Sequence, residues 1–69
     1  MTIQILITSP PDREKVVAEL WENNIQIAEV SREDYVVRVE FYTAPFNASF
    51  EYDELLDALQ KARNSLIEQ

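Results

Sequence analysis

Apolar and polar residues alternate at the start of the chain. Over residues 2–8 every second residue is isoleucine, and the residues between them are polar apart from Leu6. A period of two in β-branched residues is typical of a strand that buries one face. The pattern predicts a first strand here, with Ile3, Ile5 and Ile7 turned towards the core.

The next segment, residues 9–24, has the spacing of a helix. Ser9 is a suitable N-cap, and Pro10 suits the first helical position. Asn23 and Asn24 can both adopt the left-handed conformation that ends a helix. We therefore predict a first helix whose buried stripe consists of Val16, Val17, Leu20 and Trp21.

Two further strands and a second helix complete the pattern. Residues 25–30 and 35–42 alternate, and the polar residues 31–34 between them predict a hairpin turn. The turn has no glycine, so we expect it to be longer than two residues. After Pro45 the apolar residues recur at helical spacing, at Tyr52, Leu55, Leu56, Leu59, Ala62 and Leu66.

The order β-α-β-β-α defines the expected fold. A right-handed crossover followed by a hairpin gives strand order 1-3-2. We therefore predict a single α+β domain over residues 1–69, a two-layer sandwich of a three-stranded mixed sheet with two helices on one face. This is the ferredoxin-like plan without its last strand. The predicted core face of the sheet carries Ile3, Ile5, Ile7, Ile25, Ile27, Val37 and Val39.

The segment VVAELWENNIQIAEVSREDYVVRVEFY, residues 16–42, resembles the middle of an ACT-type regulatory domain. The likeness lies in a helix that ends at an Asn pair, an isoleucine-led strand and a hairpin. Such domains bind amino acids at a Gly-containing turn, which residues 9–12 replace here with Ser-Pro-Pro-Asp. The resemblance therefore implies a fold and transfers no ligand-binding residue.

The composition excludes many kinds of site. The chain has no His, Cys or Gly, so imidazole catalysis, thiol nucleophiles, disulfides and glycine-rich phosphate loops are absent. We expect no enzyme activity, no cofactor and no metal. The acidic residues at the start of the last helix are those that the helix dipole favours, namely Glu51, Asp53, Glu54 and Asp57.

The net charge of −7 narrows the possible partners. It argues against nucleic acid, which requires clustered Lys or Arg, and it favours a basic protein partner. The first residues lack the basic region and continuous apolar run of a signal peptide, and no apolar stretch approaches the roughly 18 residues that span a membrane. We expect a cytoplasmic protein.

A small core and an uncharged edge strand predict a homodimer. In the expected fold residues 2–8 form an edge without charge or proline, and proteins usually cover such edges. Two copies pairing there would form a six-stranded sheet. The sheet face turned away from the helices is an alternative interface. The candidate interface residues are Gln4, Leu6, Val36, Arg38, Tyr42 and Phe46.

The sequence favours a protein-interaction or regulatory accessory module without catalysis. One alternative is an acidic inhibitor of the immunity or antitoxin type, which would cover a basic partner through the carboxylates at residues 51–57. The other is a small-ligand sensor of the ACT-like kind.

Overall fold

A computed structural model describes residues 3–11, 15–42 and 49–67 of the chain. Its elements are strands β1 (Gln4–Thr8), β2 (Val17–Glu22), β3 (Ile25–Glu33) and β4 (Val36–Phe41), followed by helix α1 (Tyr52–Ile67). The four strands form one antiparallel sheet in the order β1-β2-β3-β4. The helix packs on one face, mainly against β2 and β3.

The predicted three-stranded sheet with two helices is wrong. The sheet has four strands in sequence order, and the segment predicted as the first helix contains β2. No right-handed crossover exists between the described strands, so the ferredoxin-like plan does not apply. The resemblance of residues 16–42 to an ACT-type domain loses its basis for the same reason, because it depended on a helix before the hairpin.

The asparagine pair explains this error. Asn23 and Asn24 both have positive φ angles, 53° and 65°. Two consecutive left-handed residues between antiparallel strands form the hairpin turn whose twist matches that of the strands. The conformation of Asn23 and Asn24 was predicted, but they join β2 to β3. The apolar residues of β2 lie on both faces of the strand, Ala18 and Leu20 on the helix side and Val17 and Trp21 on the other, so the sequence shows no period of two here.

The second hairpin, between β3 and β4, is confirmed. Its turn has only two residues, Asp34 and Tyr35, so the prediction of a longer turn is wrong. Asp34 takes the positive φ angle, 56°, that a glycine would usually supply. In the four-stranded sheet β4 is an edge strand, whereas the predicted strand order placed it in the centre.

A β-bulge in β3 decides which residues are buried. Leu20 pairs with Ala28, but Trp21 pairs with Gln26, so Ile27 is the extra residue. Beyond the bulge Ala28 and Val30 face the helix, where both are fully buried. Ile25, predicted in the core, lies at the end of the hairpin and is 62% exposed.

The core lies between the sheet and α1. Leu20 is completely buried at its centre. The helix contributes two alanines, Ala58 and Ala62, whose small side chains allow the helix to lie close to the sheet. The buried cluster comprises Ile3, Ala18, Leu20, Ile27, Ala28, Val30, Ala58, Ala62 and Leu66.

Candidate functional site

The face of the sheet turned away from α1 is the candidate site. Residues directly opposite each other in an antiparallel sheet project to the same side, and side chains alternate along each strand. The register therefore assigns one set of residues to this side. We call this surface the outer face, and its principal residues are Gln4, Leu6, Glu19, Trp21, Glu29, Val36, Arg38, Glu40 and Tyr42.

Three glutamates cross the outer face in one row. Glu19 of β2 lies opposite Glu29 of β3, and Glu29 lies opposite Glu40 of β4. We call these residues the glutamate row. Neighbouring strands are about 4.8 Å apart, so the three glutamates follow one another from strand to strand across this face. Glu29, in the middle, is only 9% exposed. Like charges directly opposite each other destabilise a sheet, so this arrangement concentrates negative charge at a cost.

An aromatic hydrogen-bond donor lies beside each end of the glutamate row. The indole Nε1 of Trp21 donates to Oε1 of Glu19 at 3.0 Å. The hydroxyl of Tyr42 donates to Oε1 of Glu40, also at 3.0 Å. Each aromatic residue follows its glutamate by two positions, which places both side chains on the same face. The two outer carboxylates are thereby held in defined positions.

The environment of Tyr42 keeps its hydroxyl protonated. Desolvation, the hydrogen bond to Glu40 and the negative charges of Glu29 and Glu40 raise the pKa of Tyr42 from 10.0 to about 12. A phenolate beside these carboxylates would add a further negative charge. Tyr42 therefore remains a donor to the row at all ordinary pH values.

The predicted interface residues form two groups on the outer face. Gln4 and Leu6 lie on edge strand β1, whereas Val36, Arg38 and Tyr42 lie along the opposite edge. The glutamate row begins on β2 and ends on β4, where Glu40 lies between Arg38 and Tyr42. Leu6 and Val36 are each 52% exposed, and Tyr42 is 44% exposed. The remaining candidate, Phe46, falls outside the described residues.

The sequence prediction missed the glutamate row for two reasons. It placed Glu19 on a helix, where it has no cross-strand partner. Even with the Asn pair as a hairpin turn, a regular register would set Glu19 opposite Ala28, and only the bulge at Ile27 moves it opposite Glu29. A surface depression of about 610 Å³ adjoins this end of the row and is lined by Gln4, Ile5, Leu6, Trp21 and Asn24.

The carboxylates of α1 are arranged differently. Asp53 and Glu54 lie in the first helical turn, where the dipole favours them. Asp57 pairs with Lys61 at 3.0 Å, one helical turn further on. Within the three described segments no group of acidic residues converges closely enough to hold a metal ion.

No protein-family model, curated protein or solved structure matches this chain. Among the residues that the structure describes, no helix has the length and apolar character to cross a lipid bilayer.

Proposed function

We propose that this chain is a protein-interaction module without catalysis and that its outer face binds a basic segment of a partner protein. The observation that carries the proposal is the glutamate row, in which three glutamates occupy directly opposite positions on adjacent strands.

Electrostatics favours a cationic partner. The glutamate row concentrates negative charge on one face of the sheet, and that charge attracts a guanidinium or ammonium group. Arginine suits such a row especially well, because its planar fork donates to two carboxylate oxygens at once. The net charge of −7 adds long-range attraction for a basic segment.

The surroundings of the glutamate row suit a protein ligand. Trp21 and Tyr42 offer aromatic rings beside the carboxylates, and cations bind favourably over such rings. Leu6, half exposed, lies directly opposite Glu19, and Val36, also half exposed, lies on the same strand as Glu40, four residues away. Aromatic and apolar side chains around a polar centre are typical of protein interfaces.

The proposal can be tested with a synthetic peptide in which arginine alternates with valine. Trp21 is the single tryptophan of the chain and lies at the row, so its fluorescence reports binding directly. We expect a saturable change whose affinity falls as salt rises. Glu19→Gln and Glu40→Gln should each weaken binding at least about fivefold, which corresponds to roughly 1 kcal/mol.

The matched control is Glu54→Gln on α1, which removes the same charge away from the outer face. It should leave the affinity nearly unchanged. Equal weakening by all three variants would show that the peptide responds only to net charge, and that result would overturn the proposal. So would a dissociation constant above about 1 mM at low salt.

A further inference from the structure

Strand β4 is an edge of the sheet with apolar side chains exposed on both faces. On the helix side Val39 and Phe41 are 41% and 52% exposed, and on the outer face Val36 is 52% exposed. The helix contacts β1, β2 and β3 but makes few contacts with β4. An exposed strand edge of this kind is a template for pairing with another strand.

The direction of the backbone groups of β4 follows from one hydrogen bond. The N–H of Tyr42 donates to the carbonyl of Ile27 at 2.9 Å, so Tyr42 directs its backbone groups towards β3. Backbone groups point to alternate sides along a strand. Those of Val37, Val39 and Phe41 therefore point away from β3, towards the free edge.

We propose that a second copy of this chain pairs antiparallel with β4 across a two-fold axis at Val39, so that two four-stranded sheets become one of eight strands. The inference concerns the edge of the sheet and does not depend on the binding of a basic partner to the outer face.

Charge selects this register among the alternatives. Residues whose backbone groups point outwards can pair with each other only if the two-fold axis passes through a residue; an axis between two residues would pair them with residues whose backbone groups point inwards. If the axis passed through Arg38, the two copies of Arg38 would lie opposite each other. If it passed through Glu40, the two copies of Glu40 would lie opposite each other. An axis at Val39 places Arg38 opposite Glu40 of the second copy, twice by symmetry. Opposite charges in direct cross-strand pairs are favourable, and like charges are not.

Backbone and apolar contacts agree with the same axis. Val39 lies opposite Val39 of the second copy, and Val37 lies opposite Phe41 of the second copy. The residues whose backbone groups point outwards therefore all pair with each other. Each such pair exchanges two hydrogen bonds. The half-exposed side chains of Val39 and Phe41 then cover each other on the helix side of the joined sheet.

The second copy also supplies a cation to the glutamate row. Its Arg38 would lie directly opposite Glu40, in line with Glu29 and Glu19. Within the part of the chain that the structure describes, Arg38 is exposed and makes no ion pair. Edge strand β1, which the sequence favoured for dimerisation, carries no charges to select a register, and its neighbour Ile3 is already buried.

Charge exchange tests the proposal. Sedimentation equilibrium up to about 1 mM chain should show a dimer for the wild type. Arg38→Glu alone sets like charges opposite each other, and so does Glu40→Arg alone; each should weaken dimerisation at least about tenfold. An equimolar mixture of the two single variants restores both opposite-charge pairs and should form a heterodimer. The double variant Arg38→Glu/Glu40→Arg should again form a homodimer.

Two controls make the outcomes decisive. Glu54→Arg changes the charge on α1 and should not alter dimerisation. Gln4→Pro places a proline in β1 and should leave a β4 dimer intact. The inference would be overturned if the wild type were monomeric or if the single charge reversals left dimerisation unchanged. It would also be overturned if Gln4→Pro alone abolished the dimer. A monomer that still binds the basic peptide would overturn this inference alone.

Discussion

Glu29 of β3 lies directly opposite Glu40 of β4, and its side chain is almost buried between neighbouring strands. With Glu19 on its other side, Glu29 has a carboxylate across from it in both directions. Each such pair is unfavourable in the isolated domain, because like charges opposite each other repel. In the proposed complex a cation of the partner would reduce this repulsion, and binding would then be linked to the stability of the domain.

Replacing Glu29 by Gln tests this repulsion. Glutamine keeps the shape and an acceptor oxygen but removes the central charge. We expect Glu29→Gln to raise the free energy of unfolding by about 0.5–1 kcal/mol at low salt, measured by urea denaturation. The gain should shrink in high salt, which screens the charges. Glu54→Gln, the control on α1, should not raise the free energy of unfolding, because the helix dipole favours the charge at that position. A loss of stability at every salt concentration would contradict the prediction.

The raised pKa of Tyr42 predicts a pH dependence. The folded chain holds this proton until about pH 12, against 10.0 for an ordinary tyrosine. The pKa of Tyr42 is higher in the folded chain than in the unfolded chain. Tyr42 therefore stabilises the fold fully below pH 10, and this stabilisation is lost as the pH rises through 12. Subtracting the ultraviolet titration curve of Tyr42→Phe from that of the wild type should isolate the ionisation of Tyr42. Glu40→Gln should move it to lower pH, and an unchanged midpoint would contradict the assigned cause.

The core predicts a contrast between two leucines. Leu20 is fully buried under α1, whereas Leu56 on α1 is 50% exposed. Leu20→Ala should lower the free energy of unfolding by about 2–5 kcal/mol, through lost burial and a cavity. Leu56→Ala should cost well under half as much. Similar losses from both, measured by urea denaturation, would be inconsistent with the packing described here.

The first hairpin predicts a stabilising substitution. Asn24 has a φ angle of 65°, which glycine adopts without steric cost. Asn24→Gly should therefore raise the free energy of unfolding by about 0.5 kcal/mol, since Asn-Gly is the preferred pair for such a turn. Asn64→Gly, in the exposed part of α1, should lower it by a few tenths. Thermal unfolding of both variants would show whether the signs differ.

Parts of the fold could be read from the sequence because their patterns admit one interpretation. The isoleucine alternation of β1 and the long apolar stripe of α1 each fit a single period, and both elements are present. The second hairpin was also recognisable. The apolar residues Val17, Leu20 and Trp21 follow a helical spacing and not an alternating one, and the capping signals around Ser9 and Pro10 also favoured a helix.

The candidate site was predicted only in part for the same reason. Residues at the two edges of the outer face could be assigned from the alternation of β1 and β4. The glutamate row could not, because it requires the register between β2 and β3 and the bulge at Ile27. A bulge leaves no clear signal in one sequence, since its extra residue is an ordinary isoleucine.

The meander topology has a consequence for how the chain folds. Each strand pairs with the strand next to it in the sequence, and the last two hairpins need only two-residue turns. Loops this short close quickly, and hairpins form within about 1–10 μs. The docking of α1 on β1 and β2 is the contact that spans most of the chain. We therefore expect the sheet to assemble early from local encounters and the helix to complete the native core afterwards.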